Sequence, residues 1–239
     1  MIVLATDFGL DGPYTGQVQA VLQRLAPGIP VISLFADLAA FDIQGAAYLL
    51  PAYTRDFAPG TVFLCVVDPG VGSPRPGVVL SADGRWFVGP NEGLFAILAR
   101  RAGQVDCWQL ADVADASASF HARDVFAPAA ARIARGGGVT GTAVAVETLA
   151  QPDWPDELYR VLYIDRYGNA ITGVRAAHVP DDAQLRLGDR LLARARTFAD
   201  VAPGTPFWYC NANGLVEIAV NRGSAAHELG LRVGTPFRK

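Results

Sequence analysis

Through the first third of the chain, short apolar runs rich in β-branched residues each stop at an aspartate. Ile2–Thr6 ends at Asp7, Val31–Phe35 is followed by Asp37, and residues 61–67 end at Asp68. Runs of this length predict strands, and Ile2–Thr6 reads as a buried one. Between them lie two segments with helical spacing. Tyr14–Leu25 puts Val18, Val21, Leu22 and Leu25 on one stripe before Pro27-Gly28. In the second, Asp42 caps a run through Ile43, Ala46, Ala47, Leu49 and Leu50, which Pro51 should kink or end. The order strand, helix, strand, helix, strand predicts a parallel sheet.

Further on, 78–81 and 85–88 flank Asp83-Gly84, a strong hairpin signal. Helices are predicted over 94–101 and 125–134, the second with Pro128 in its first turn, where proline is tolerated. The pattern fades over 139–157, which predicts a linker. Short strand-like runs then alternate with turns at 160–164, 184–187, 206–210 and 215–220, with one short helix at 224–229. The expected organisation is an N-terminal α/β domain with a mainly parallel sheet (1–150) and a smaller C-terminal β-barrel-like, mainly β domain (151–239).

Composition narrows the function classes. With 51% hydrophobic and 18% charged residues over 239 positions, the chain suits a folded protein with its own core. A net charge of −3 gives no electrostatic grip on nucleic acid. No run approaches the roughly 18 apolar residues of a membrane helix, and the N-terminus lacks the basic region of a signal peptide, so a soluble, cytoplasmic protein is expected. Cys65, Cys107 and Cys210 lie far apart beside apolar or aromatic residues, which predicts reduced, buried thiols. His121, His178 and His227 have no ligand spacing among them, so chemistry without a metal is expected.

Carboxylates at successive strand ends can converge on one cleft, which makes Asp7, Asp37 and Asp68 candidates. After Asp68 comes a Gly- and Pro-rich loop that carries Arg75 seven positions on; a braced turn and a reactive edge are both open readings of it. His121 stands before an Arg-Asp pair and a helix start. The stretch Asp165-Arg166-Tyr167-Gly168-Asn169 offers a carboxylate, a ring and an amide, a set that can hold an amine, stack on a flat ring and read its edge. It is equally the composition of an Asx turn.

Taken together and in order, these stretches resemble the S-adenosyl-L-methionine hydroxide adenosyltransferase family, relatives of fluorinase and chlorinase. The resemblance is carried by Thr6-Asp7-Phe8-Gly9 with Asp11 and Tyr14, Asp42-Ile43 with Gly45-Ala46-Ala47, and Asp68-Pro69-Gly70-Val71-Gly72 with Arg75. It continues through 120–128, 163–169 and 214–225. It implies hydrolysis of S-adenosylmethionine to adenosine and methionine, no cofactor, and a homotrimer with sites between neighbouring subunits. By position, Asp68, Arg75 and His121 match the residues that hold the attacking water. Asp7 matches the carboxylate on the ribose hydroxyls, Asp165 the partner of the methionine amine, and Asn169 the reader of adenine. Tyr167 and Phe198 match aromatic walls, Phe41 an aromatic near the reacting carbon, and Asn213, Glu217 and Val220 further substrate contacts. The chain departs from the family pattern at Ala212 and Asn213, where a serine pair or Ser-Arg is usual, which weakens the expected grip on the methionine carboxylate. Ala122 replaces a glycine, residues 34–37 lack a histidine, and Asn91-Glu92 replaces Asp-Asn. A halide-using transferase and a weakly catalytic adenosine-binding protein are the competing expectations; a carboxylate at 68 would repel a halide and argues against the first.

Overall fold

β1 (Ile2–Thr6) is buried at every position and pairs in parallel with β2 (Val31–Phe35) and β3 (Val62–Val66). In the computed structural model, which describes residues 1–239, these strands open a seven-stranded sheet of order β2-β1-β3-β5-β4-β6-β7. β3 runs parallel to β5 (Arg85–Pro90), whereas β4 (Gly77–Ala82), β6 (Val105–Leu110) and β7 (Gly141–Val144) add antiparallel pairs at the far side. The β4–β5 hairpin turns through Asp83 and Gly84 at φ 47° and 77°, the pair of positive angles that a two-residue turn of this hand needs.

The helices follow the apolar stripes. α1 (Tyr14–Leu25) buries Val18, Val21 and Leu22, and it packs against α4 (Ala127–Ala134). α2 (Ile43–Thr54), capped by Asp42 accepting from the Gly45 N–H at 2.9 Å, packs against α3 (Ala96–Arg101). α2 runs through Pro51 rather than ending there. Losing one backbone bond costs about 3 kcal/mol, but Gly45 to Leu50, Ala52 and Thr54 are all buried, and burying a single large aliphatic side chain contributes about 1.5–3 kcal/mol.

By its contacts the chain divides into two units, Met1–Pro152 and Asp153–Lys239. The stretch 139–157, expected to be a linker, therefore contains a structural element: β7 is the outer strand of the large sheet. Its residues are exposed or half-buried, so no burial pattern marks it.

In the second unit, β8 (Leu158–Ile164), β9 (Ala170–Arg175), β12 (Pro206–Cys210) and β13 (Leu215–Val220) form an antiparallel sheet of order β12-β13-β9-β8. β10 (Leu185–Leu187) and β11 (Arg190–Leu192) form a separate hairpin. Trp208, fully buried, anchors this core and donates its indole N–H to the Ala183 carbonyl at 3.1 Å. α5 (Ala225–Glu228) is capped by Ser224. All three cysteines are free, but only Cys65 and Cys107 are buried; Cys210 is exposed, because β12 ends there and leaves the core.

Candidate active site

Two groups of the expected residues are assembled, one in each unit. In the first unit, β1 and β3 are adjacent and in register, Thr6 opposite Val66, so Asp7 and Asp68 leave the sheet at one edge. The Asp7 N–H still reaches the Val66 carbonyl at 3.3 Å. Burial pushes the Asp7 carboxyl above its ordinary range, and the charge of Asp68 adds to the shift. Asp7 Oδ2 accepts the Phe41 N–H at 3.2 Å. That bond helps hold Phe41 in a left-handed conformation (φ 66°) with its ring exposed, a backbone state that costs on the order of 1–3 kcal/mol. Asp37, the third strand-end aspartate, is exposed.

Asp68 and Arg75 are in contact, with side chains only 6% and 8% exposed. Arg75 Nη2 donates to Asp68 Oδ2, and Nη1 donates to the Pro76 carbonyl at 3.3 Å. A third residue completes the group. Glu92 Oε1 lies 3.2 Å from Arg75 Nε, an ion pair that is not aligned as a hydrogen bond. Asp68 Oδ1, Arg75 Nε and Glu92 Oε2 are buried and have no hydrogen-bond partner. Most buried polar atoms in folded proteins are satisfied, so three orphans around one guanidinium require an explanation.

His121 stands immediately before an unusual five-residue π-helical turn (Ala122–Phe126) that leads into α4, with no side-chain bond to its first N–H groups. Such turns are rare and frequently occur at functional sites. The turn buries Phe126, whose ring has Arg75 at 5.9 Å and His121 edge-on at 6.4 Å. His121 thus shares Phe126 with the Asp68–Arg75 pair but makes no hydrogen bond to either residue. Within the same turn, hydrogen bonds from Arg123 hold the Asp124 carboxyl below its ordinary value. Phe8, Tyr14 and Phe120 pack against one another in tilted and edge-on contacts, at centroid distances of 5.3–6.1 Å.

In the second unit, a cavity of about 600 Å³ is lined by Asp165, Tyr167, Asn169, Phe198, Glu217 and Val220 together with Tyr209, Arg222, Gly223 and Ser224. That volume suits a ligand of nucleoside size or larger. Its base is the loop after β8. Asp165 Oδ1 accepts the N–H groups of Tyr167 and Asn169, both at 2.9 Å, and Oδ2 accepts Asn169 Nδ2 at 3.0 Å. The loop is therefore an Asx-type turn, and the turn fixes the Asn169 amide. That leaves the Asn169 amide with its Oδ1 acceptor and a second Nδ2 N–H, the donor–acceptor pair that can read the edge of a flat ring. Gly168 takes φ 86°, and a Cβ there would meet Ser224 Oγ at 2.0 Å. Phe198 packs edge-on against Tyr209 and Phe207 at 5.3 and 5.2 Å, while Tyr167 stands exposed at the rim.

Glu217 is 4% exposed. Its Oε1 accepts the Tyr209 hydroxyl and its Oε2 accepts Asn211 Nδ2 at 2.9 Å. Burial raises its carboxyl above the ordinary range despite both bonds. Asn213 does not line the cavity; its N–H donates to Asn211 Oδ1 at 3.0 Å, bracing the β12–β13 turn. Sequence reasoning left out Tyr209 and Glu92. Tyr209 stands directly opposite Glu217 in the β12–β13 register, a signal visible only once the strands are paired. In the sequence Glu92 stands out only as a departure from the family pattern at 91–92, and it carries the one carboxylate between the β4–β5 hairpin and α3.

Comparison with known proteins agrees with this division. The family model for the SAM hydroxide adenosyltransferase N-terminal domain matches residues 2–143, and the model for the C-terminal domain matches residues 159–238. An (R)-S-adenosyl-L-methionine hydrolase of Thermus thermophilus is 41% identical, covering 99% of this chain and 98% of the relative. One from Salinispora arenicola is 37% identical over 99% and 96%. More distantly, a fluorinase of Actinopolyspora mzabensis is 21% identical over 100% and 96%. The crystal structure of an uncharacterized conserved protein from Thermotoga maritima superposes with a TM-score of 0.85 at 30% identity, covering 99% of this chain and 98% of that one.

Proposed function

Because the chain belongs to the SAM hydroxide adenosyltransferase family, we propose that it hydrolyses (R)-S-adenosyl-L-methionine to adenosine and methionine. The observation that carries the chemistry is Asp68, held by Arg75 and almost fully buried, with one carboxylate oxygen unpartnered. The 5′ carbon of a sulfonium is already electrophilic and its leaving group is a neutral thioether, so departure needs no acid. What the site must provide is a positioned, partly desolvated nucleophile in line with the breaking bond. Water attacks C5′, the C–O bond forms as the C–S bond breaks, the electron pair remains on sulfur, and the water proton is released through the Asp68–His121 side of the site. No cofactor or metal takes part.

Asp7 binds the ribose hydroxyls and Phe41 packs near the reacting carbon. Asn169 reads the adenine amino group through Oδ1, between the rings of Tyr167 and Phe198, and Val220 closes that wall. Asp165 both orients Asn169 and faces the methionine amine, and Asn213 acts on the methionine end through the β12–β13 turn. The working assembly is a cytoplasmic homotrimer with sites between neighbouring subunits.

The test is to incubate purified protein with S-adenosylmethionine, with and without chloride and EDTA, and to separate the products by chromatography. Adenosine and methionine in equal amounts, unaffected by EDTA, are expected. 5′-Chloro-5′-deoxyadenosine, or tight binding without turnover, overturns the reading. Light scattering tests the trimer.

A further inference from the structure

Arg75 Nε, Asp68 Oδ1 and Glu92 Oε2 are buried without partners, and all three belong to side chains joined through one guanidinium. One is a donor and two are acceptors. A single water molecule matches that set: it accepts one N–H, donates to two carboxylate oxygens and keeps one lone pair. We propose that Glu92 is the second carboxylate of the water-holding group, taking one hydrogen bond of the attacking water while Asp68 takes the other and Arg75 Nε fixes the oxygen. The inference rests on the hydrolase reading above and adds a residue to it. The two donated bonds leave the remaining lone pair to face the 5′ carbon. They also raise electron density on the water oxygen, as a lone carboxylate does to a lesser degree.

Gly70 supports the assignment independently. Its φ is not positive, so the backbone does not demand glycine there. A Cβ at position 70 would, however, lie 1.8 Å from Glu92 Oε1. The loop after β3 has been left bare where the Glu92 carboxylate enters.

A carboxylate that only neutralised Arg75 would change folding or substrate affinity when altered; one on the attacking water changes turnover. In Glu92→Gln, which keeps the shape and removes the charge, kcat for adenosine formation is expected to fall about 10–100-fold. KM should stay within about threefold and Tm within a few degrees. Gly70→Ala keeps the carboxylate but displaces it, and is expected to lower kcat at least about fivefold. Adding Gly70→Ala to Glu92→Ala should cost nothing further, because the carboxylate it displaces is gone. Should Glu92→Gln fail to fold, Gly70→Ala decides. Wild-type kcat in both single variants, or a loss confined to KM or Tm, overturns the role of Glu92 while leaving the hydrolase reading standing. Absence of adenosine from the unmodified protein overturns both.

Discussion

The carboxylates of the two units are treated in opposite ways. In the C-terminal unit every carboxylate oxygen that lines the cavity is already engaged: Asp165 accepts three bonds from its own loop, and Glu217 accepts one on each oxygen. In the N-terminal unit, Asp68 and Glu92 are held by Arg75, yet each keeps a buried oxygen without a partner. A satisfied network rigidifies its side chains and presents fixed edges, as suits recognition of a flat ring. Unsatisfied buried acceptors are costly to keep and are filled by what enters, as suits a centre that must hold and activate water.

The largest effects should therefore fall on the N-terminal group. Asp68→Asn is expected to lower kcat by about 10³-fold and His121→Ala by about 10²-fold, both with KM changed less than about threefold. Adenosine release under saturating substrate measures this, with circular dichroism to confirm the fold. If Asp165→Asn lowered kcat as much as Asp68→Asn, the division between a reacting and a recognising unit would collapse.

In the C-terminal unit the expected loss is in affinity. Asn169→Ala removes the cavity-lining amide that the Asp165 turn holds in place. It should raise KM about tenfold, near 1.4 kcal/mol, with kcat within about threefold. Asp165→Ala should do the same at one remove, since it frees the Asn169 amide to rotate. Equal losses in the two single variants, with little added in the double, would tie them to one bond.

The parts legible in the sequence are those where local chemistry decides. β1 and β3 are short runs buried at every position, β2 is a mainly apolar outer strand, the Asp83-Gly84 turn demands positive φ, and the strand-end aspartates follow from where those runs stop. The parts that were not legible depend on partners far along the chain. Pro51 is tolerated because α2 is buried by its tertiary surroundings, and β7 is an outer strand with no burial pattern. β9 contains Gly173 and follows directly on the Asx turn, which masks its start. Glu92 meets Arg75 across a hairpin, and Tyr209 meets Glu217 across a ladder, so neither relation exists as a spacing. Asp68, Arg75 and Asp165–Asn169 could be picked out as candidates; the division of labour between satisfied and unsatisfied carboxylates could not, because it depends on hydrogen bonds rather than residue types.

The smallest effect is also the sharpest test of the satisfied side. Burial raises the Glu217 carboxyl, so the folded protein holds that proton more tightly than the unfolded chain does. Its contribution to stability is then present below the ordinary carboxyl value of 4.5 and is lost as pH rises through the raised one. Glu217→Gln has no such titration. The Gln amide keeps an oxygen for the Tyr209 hydroxyl, but its NH2 then confronts Asn211 Nδ2. Asn211 cannot readily flip, since its Oδ1 already accepts from Asn213 and Leu215. The variant should therefore be destabilised at every pH by about 1–3 kcal/mol, or roughly 2–4 °C in Tm per kcal/mol for a chain of this size. The informative quantity is the slope. Between pH 4.5 and pH 7 the wild-type advantage in Tm should shrink, because the titration of Glu217 is lost in the variant while that of Asp7 is common to both. An advantage that grows with pH would mean that Tyr209 and Asn211 hold Glu217 as a stabilised anion, and that the network is electrostatic rather than a buried, proton-retaining brace.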